Sequence, residues 1–157
     1  MRRLKKKYKK PKARWDMARI EEERKILVEY GLKKKREIWR AASMLRGFRA
    51  RARKLIAVKD KEAIDNLMTK LNKMGLLEKG KSLDDVLTLK ITDILNRRLQ
   101  TLVYKKGLAD SPLHARQLIV HGHIAIDKRR IRTPSYMVPI DKEDKIGYYK
   151  DIKPKGE

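Results

Sequence analysis

Arginines, glutamines, histidines and lysines recur between Arg97 and Lys145 in a pattern suited to gripping phosphates. Arg97, Arg98 and Gln100 fall on a stretch whose other face is apolar. His114, Arg116 and Gln117 take the outer face of the next helical stretch, and Lys128, Arg129 and Arg130 sit at a hairpin beyond it. Guanidinium forks bind phosphate oxygens in pairs and side-chain amides add donors. The free backbone amides of a helix opening at Ser111 supply more. Over residues 97–134 only Asp110 and Asp127 oppose these cations, so the three elements read as one surface for a polyanion. A second set, Arg46, Arg49, Arg51 and Arg53, lies on a long helical stretch whose sole acid is Glu37. It is assigned to phosphate contact for the same reason.

Other chemistry finds little support. His121 and His123 lie two apart with Asp127 nearby, and His114 is the remaining imidazole. A closed zinc site needs four ligands and a catalytic one typically three, so His121 and His123 are read as donors to phosphate or caps on carbonyls. The glycines are isolated rather than gathered into a phosphate loop, and no serine has the flanking glycines of a nucleophile elbow. Acid pairs such as Asp84-Asp85 read as helix-start charges. Trp15 and Trp39 are read as packing anchors at helical spacing rather than as base-stacking platforms. No enzyme, cofactor, metal or small-molecule substrate is expected.

The wider composition fits a nucleic-acid partner. The 157 residues carry a net charge of +23, and such self-repulsion favours compactness only when a polyanion neutralises it. Residues 1–58 hold a net +16 (22 basic, 6 acidic), residues 59–96 are neutral, and residues 97–134 hold +7 (9 basic, 2 acidic). Two basic blocks flanking a neutral stretch imply two contact surfaces. Cysteine is absent, which excludes disulfides and cysteine-based zinc fingers. No apolar run approaches the ~20 residues of a membrane span, and the basic N-terminus lacks a signal-like apolar stretch. A cytoplasmic protein without a membrane partner is expected.

The elements that must hold these residues follow from periodicity and punctuation. The basic extension 1–14, with Arg2, Arg3, Lys5, Lys6 and Lys7 as candidate contacts, should order only on binding. Asp16 caps a helix running to Tyr30, with Gly31 as its stop. A longer helix, roughly Lys34 to Ala57, repeats Ile38, Ala41, Leu45, Phe48, Ala52 and Leu55 at three- and four-residue steps. Asp60 opens a third helix ended by Gly75, and Ser82 with Asp85 forms a capping box for a fourth. From Thr92 a single helix with Ile94, Leu95, Leu99, Leu102 and Val103 inward runs to Gly107. Ser111-Pro112 starts a short helix ending near His121-Gly122. Ile124 and Ile126 then alternate as a strand, Asp127-Lys128 turns, and Arg130-Ile131-Arg132 returns. Tyr136-Met137-Val138 is a short extended piece between Pro134 and Pro139. The fold class is α+β: a basic extension (1–14), a helical lobe (15–96), a small module of two helices on a short twisted sheet (97–147) and a tail (148–157).

Two segments carry a specific resemblance. Arg97 to Val103, followed by Ser111 to Ile124, resembles the RNA-binding module named after ribosomal protein S-four. Upstream, Arg2-Arg3-Leu4-Lys5-Lys6-Lys7-Tyr8, Trp15-Asp16, Arg19-Ile20-Glu21, Tyr30-Gly31-Leu32, Phe48-Arg49 and Asp84-Asp85-Val86-Leu87 are similar to the archaeal and eukaryotic branch of that ribosomal family. The resemblance covers nearly the whole chain and fits an archaeal-type member best. It implies a structural protein of the small ribosomal subunit that binds rRNA helices and junctions and supports assembly. It also implies a place beside other ribosomal proteins near the path by which mRNA enters, with mRNA itself a possible partner. By position, Arg97, Arg98, Gln100, Ser111, Arg116, Gln117, His121, Lys128 and Arg129 would face RNA. The hairpin departs from the family's frequent Asn-Gly, carrying Asp127-Lys128 instead. The alternative is a stand-alone RNA-binding factor acting on ribosomes or structured RNA; an architectural DNA binder is a weaker third.

Overall fold

Asp16 opens the first helix by accepting from the Arg19 amide at 3.3 Å, and α1 runs Met17–Glu29. The structure is a computed structural model and describes residues 6, 8–78 and 80–149. α2 (Lys35–Val58) buries the stripe Ile38, Ala41, Leu45, Phe48 and Ala52. Phe48 is 2% exposed, so truncating it to alanine would cost about 3–5 kcal/mol. Asp60 caps α3 (Lys61–Lys73) through the Ala63 amide at 3.3 Å. Ser82 and Asp85 form the expected capping box of α4 (Leu83–Thr88). The hydrogen bond from the Ser82 amide holds the Asp85 carboxyl below its ordinary range.

The single helix expected from Thr92 to Gly107 is two: α5 (Ile91–Asn96) and α6 (Leu99–Lys105). Arg98 between them is extended, at φ −75°, ψ 143°. The break has a partner. The Leu99 amide donates to Tyr136 O (2.8 Å), the Gln100 amide to Pro134 O (3.3 Å) and the Val138 amide to Arg97 O (3.1 Å). The extended piece between the two prolines thus takes up backbone groups that a continuous helix would bond within itself. The apolar periodicity carries across the break because each side feeds a different core. Ile94 and Leu95 join a cluster with Tyr30, Leu45, Phe48, Leu71 and Val86. Leu99, Leu102 and Val103 join another with Ala115, Ile119, Ile124, Ile126, Val138 and Ile146.

Ser111 accepts from the His114 amide at 3.1 Å and Pro112 takes the first turn of α7 (Pro112–His121). The strand β1 (Ile124–Ile126) pairs antiparallel with β2 (Arg129–Arg130) and β3 (Ile146–Tyr148), in the order β2-β1-β3. Asp127 and Lys128 both adopt positive φ, 54° and 62°, as a two-residue hairpin turn requires. The return strand therefore starts at Arg129, one residue before the expected position. β3 has no counterpart among the expected elements: three residues around Gly147 carry no alternation, and the strand exists through its pairing with β1, some twenty positions earlier in sequence.

Candidate nucleic-acid interface

The residues expected to lead a basic surface instead divide between a seam and an exposed face. In the seam, Arg98 is 5% exposed and its Nη2 lies 2.5 Å from Glu37 Oε2 on α2. Arg116 Nη1, on α7, lies 3.1 Å from the other oxygen of the same carboxylate. Burial by itself would push the Glu37 carboxyl up, but hydrogen bonds from Arg116 and Arg98 overcome it and hold the group below its ordinary value. Arg97 donates to Met74 O (3.1 Å), Val138 O (3.0 Å) and the Glu143 carboxylate (2.6 Å). Its guanidinium lies so close to Gly75 that a Cβ there would come within 2.7 Å of it.

Gln100 is 1% exposed. Its amide nitrogen lies 3.0 Å from Tyr30 O, 2.8 Å from Gly31 O and 2.9 Å from Pro112 O. Gly31 makes this possible, since a Cβ there would meet the backbone of Pro112 and Leu113 at 2.9 Å. Arg97, Arg98 and Gln100 are therefore corrected from outward-facing contacts to internal ties between the two cores. Arg116 is tied to Glu37 and only partly exposed. Arg49 is a further correction: its Nη2 donates to Leu89 O at 2.5 Å, fastening α2 to the end of α4.

The exposed face is built around the β1–β2 turn. Lys128, Arg129 and Arg130 are exposed, as are His121 and His123 at the end of α7 and Gln117 within it. The two imidazoles stack almost parallel, with ring centroids 6.2 Å apart. The Arg130 guanidinium lies 5.2 Å from the centre of the Tyr149 ring. Flat π-faces among unpaired cations are suited to RNA, whose unpaired bases stack on aromatic and guanidinium planes. His114 is turned toward Asp110, its Nδ1 3.2 Å from the carboxylate, while Ser111 works as the cap of α7. Among the described residues no cluster of three or more His, Cys, Asp or Glu could hold a metal ion, and no helix is long and apolar enough to cross a membrane.

The S4 domain family model matches residues 97–144, the α6–α7–hairpin unit. Over 151 residues the chain is 52% identical to the small ribosomal subunit protein uS4 of Ignicoccus hospitalis, covering 94% of this chain and 90% of that protein. The chain belongs to the uS4 family. It is also 51% identical over 152 residues to the uS4 protein of Methanococcus aeolicus, covering 94% and 85%. For that of Methanosphaerula palustris the identity is 49% over 150 residues, covering 90% and 83%. The domain match begins at Arg97, where the chain leaves the first core. Glu37, Tyr30 and Gly31, which the seam arginines and Gln100 grip, lie outside it.

In the helical part of the uS4 chain, Arg46, Arg51 and Arg53 are exposed on α2. The described part of the N-terminal extension lies along this helix, with the Lys9 amide donating to Ser43 Oγ at 3.1 Å and Tyr8 6.0 Å from the Trp39 ring. The composition of the extension predicts order only on binding; here Tyr8 and Lys9 dock on α2. Lys6 is exposed, whereas Arg2, Arg3, Lys5 and Lys7 lie outside the described residues. Trp39 is an anchor, donating to the buried Glu23 at 3.0 Å. Trp15 is not: it is 87% exposed. The acids that organise the molecule, Glu23, Glu37 and Glu143, have no place among the sequence-predicted site residues. For Glu37 the available signal is isolation, because a lone carboxylate beside an apolar stripe in a basic helix is a natural mate for a buried arginine; Glu23 and Glu143 stand among other acids and carry no such signal.

Proposed function

We propose that this chain is a structural, non-enzymatic protein of the small ribosomal subunit that grips rRNA helices and their junctions through two basic surfaces. One is the hairpin face of Gln117, His121, His123, Lys128, Arg129 and Arg130. The other is the outer side of α2, with Arg46, Arg53 and the basic extension. The observation that carries the reading is the hairpin face, whose cations have no carboxylate partner among the described residues within a module matching the S4 domain. The uS4 names of the relatives support the ribosomal setting. The chain works as two units, residues 15–96 and 97–147, which the seam holds at a fixed mutual angle. Both surfaces then meet one folded RNA, beside neighbouring ribosomal proteins and the path of entering mRNA. Recognition is by charge and shape, since side chains cannot read the narrow A-form major groove.

Filter binding of the full chain to an rRNA fragment containing a helical junction tests this. With about 6–10 phosphates neutralised, affinity falls by roughly 10³–10⁵ between 50 and 200 mM salt. A duplex DNA of equal length binding as tightly as the junction would overturn the reading. In native extracts the protein co-sediments with the small subunit at high salt; a free pool there would instead favour the stand-alone factor.

A further inference from the structure

Between α2 and the segment Pro134–Met137 lies a cleft of about 390 Å³, at the small end of the roughly 300–1,000 Å³ range of ligand sites. Its floor is apolar, formed by Ala41 and Met44 of α2, Ile94 of α5, and Met137. The rim carries Lys34, Arg36 and Arg40, all exposed, and none pairs with a carboxylate among the described residues. Glu37 is the one acid on the wall, and Arg98 and Arg116 already hold its two oxygens. An incoming anion therefore meets a neutralised carboxylate and three free cations. Arg98 is on the same wall, but its guanidinium is committed to Glu37, so the exposed rim cations are the groups left to meet an anion.

We propose that this cleft receives one unpaired nucleotide of the bound RNA strand, its base against the methionine floor and its flanking phosphates on Lys34, Arg36 and Arg40. The proposal rests on the RNA-binding reading and names what that RNA must offer here. A paired helix would meet the rim but hide its base faces and leave the floor unfilled, and a purely apolar ligand would have no use for three cations. An unstacked nucleotide satisfies both, being flat and apolar on one part and anionic on the other.

The test uses the full chain with octauridylate carrying 4-thiouridine, photocrosslinked and mapped by peptide mass spectrometry, with affinities measured in parallel. Crosslinks are expected on the α2 peptide holding Met44 and on residues 133–137. The double variant Arg36→Ala/Arg40→Ala should bind octauridylate about tenfold more weakly, the scale of a lost charge-assisted contact. Met44→Glu, which places a charge on the floor and removes no cation, should do the same while the circular dichroism melt stays unchanged. Crosslinks confined to the hairpin, or unchanged affinity in both variants, overturn the proposal. So does adenosine 5′-monophosphate binding as tightly as octauridylate, which would make the occupant a free nucleotide. The junction fragment is the separate control. If it binds the wild-type chain while the cleft results fail, only the cleft assignment falls; if it does not bind, the RNA reading itself falls.

Discussion

The seam and the hairpin face are made from the same residue types and do opposite things. Arg97, Arg98, Gln100 and Arg116 are drawn inward onto Glu37, Glu143 and backbone carbonyls. Lys128, Arg129 and Arg130 stand in solvent with their charge available. What separates the two groups is access to a partner. A guanidinium within reach of a half-buried carboxylate stays with it, because either charge left alone in a low-dielectric setting is unfavourable. The guanidiniums of β2, just beyond the two-residue turn, have no such partner among the described residues and remain open to phosphate. A basic residue in an RNA-binding protein is thus evidence of contact only after its internal partners are counted.

The contrast between the regions breaks most sharply at Glu37. Glu37→Ala leaves Arg98 and Arg116 without their shared acceptor and should lower unfolding free energy by about 3–5 kcal/mol in a denaturant melt. An unchanged midpoint would mean the seam does not hold the two cores together. The hairpin should behave in the opposite way. Lys128→Ala/Arg129→Ala/Arg130→Ala should leave stability within about 0.5 kcal/mol while the slope of log affinity against log salt becomes shallower by about 2–3. A large loss of stability here would erase the distinction between the regions.

Acid titration sharpens it further. Glu37 has its folded pKa held below the ordinary 4.5, so its contribution is fully present above that value and is lost as pH falls through the lowered folded value. Glu37→Gln should therefore flatten the acid limb of the stability curve, whereas the hairpin variant should leave that limb in place. The smallest effect belongs to the turn. Lys128→Gly relieves a side chain at φ 62° and should raise stability by up to about 1 kcal/mol. It should also weaken rRNA binding, because a cation is removed; stability and affinity moving together would contradict the assignment of Lys128 to the contact face.

The parts of the fold legible in the sequence are those written in local chemistry. Asp16, Asp60 and Ser111 open helices because each places an acceptor over free amides, and at the start of α4 the Asp85 carboxylate accepts from the Ser82 amide. The α2 stripe announces its buried face by period, and Asp127-Lys128 announces a turn. The break at Arg97-Arg98 is illegible because the apolar spacing runs straight through it; the Arg97 carbonyl after α5 and the amides that start α6 pair with residues 134–138, almost forty positions onward. β3 escapes for the same reason.

The chain's own order of residues settles its charge, its helix starts, its turn and its family, since each depends on neighbours a few positions apart or on identities alone. Which arginines meet the outside and which lock the interior is decided only when α2 comes to rest against α6 and α7. A carboxylate sixty-one positions before Arg98 can claim it solely through that packing, and burial then makes the pairing compulsory.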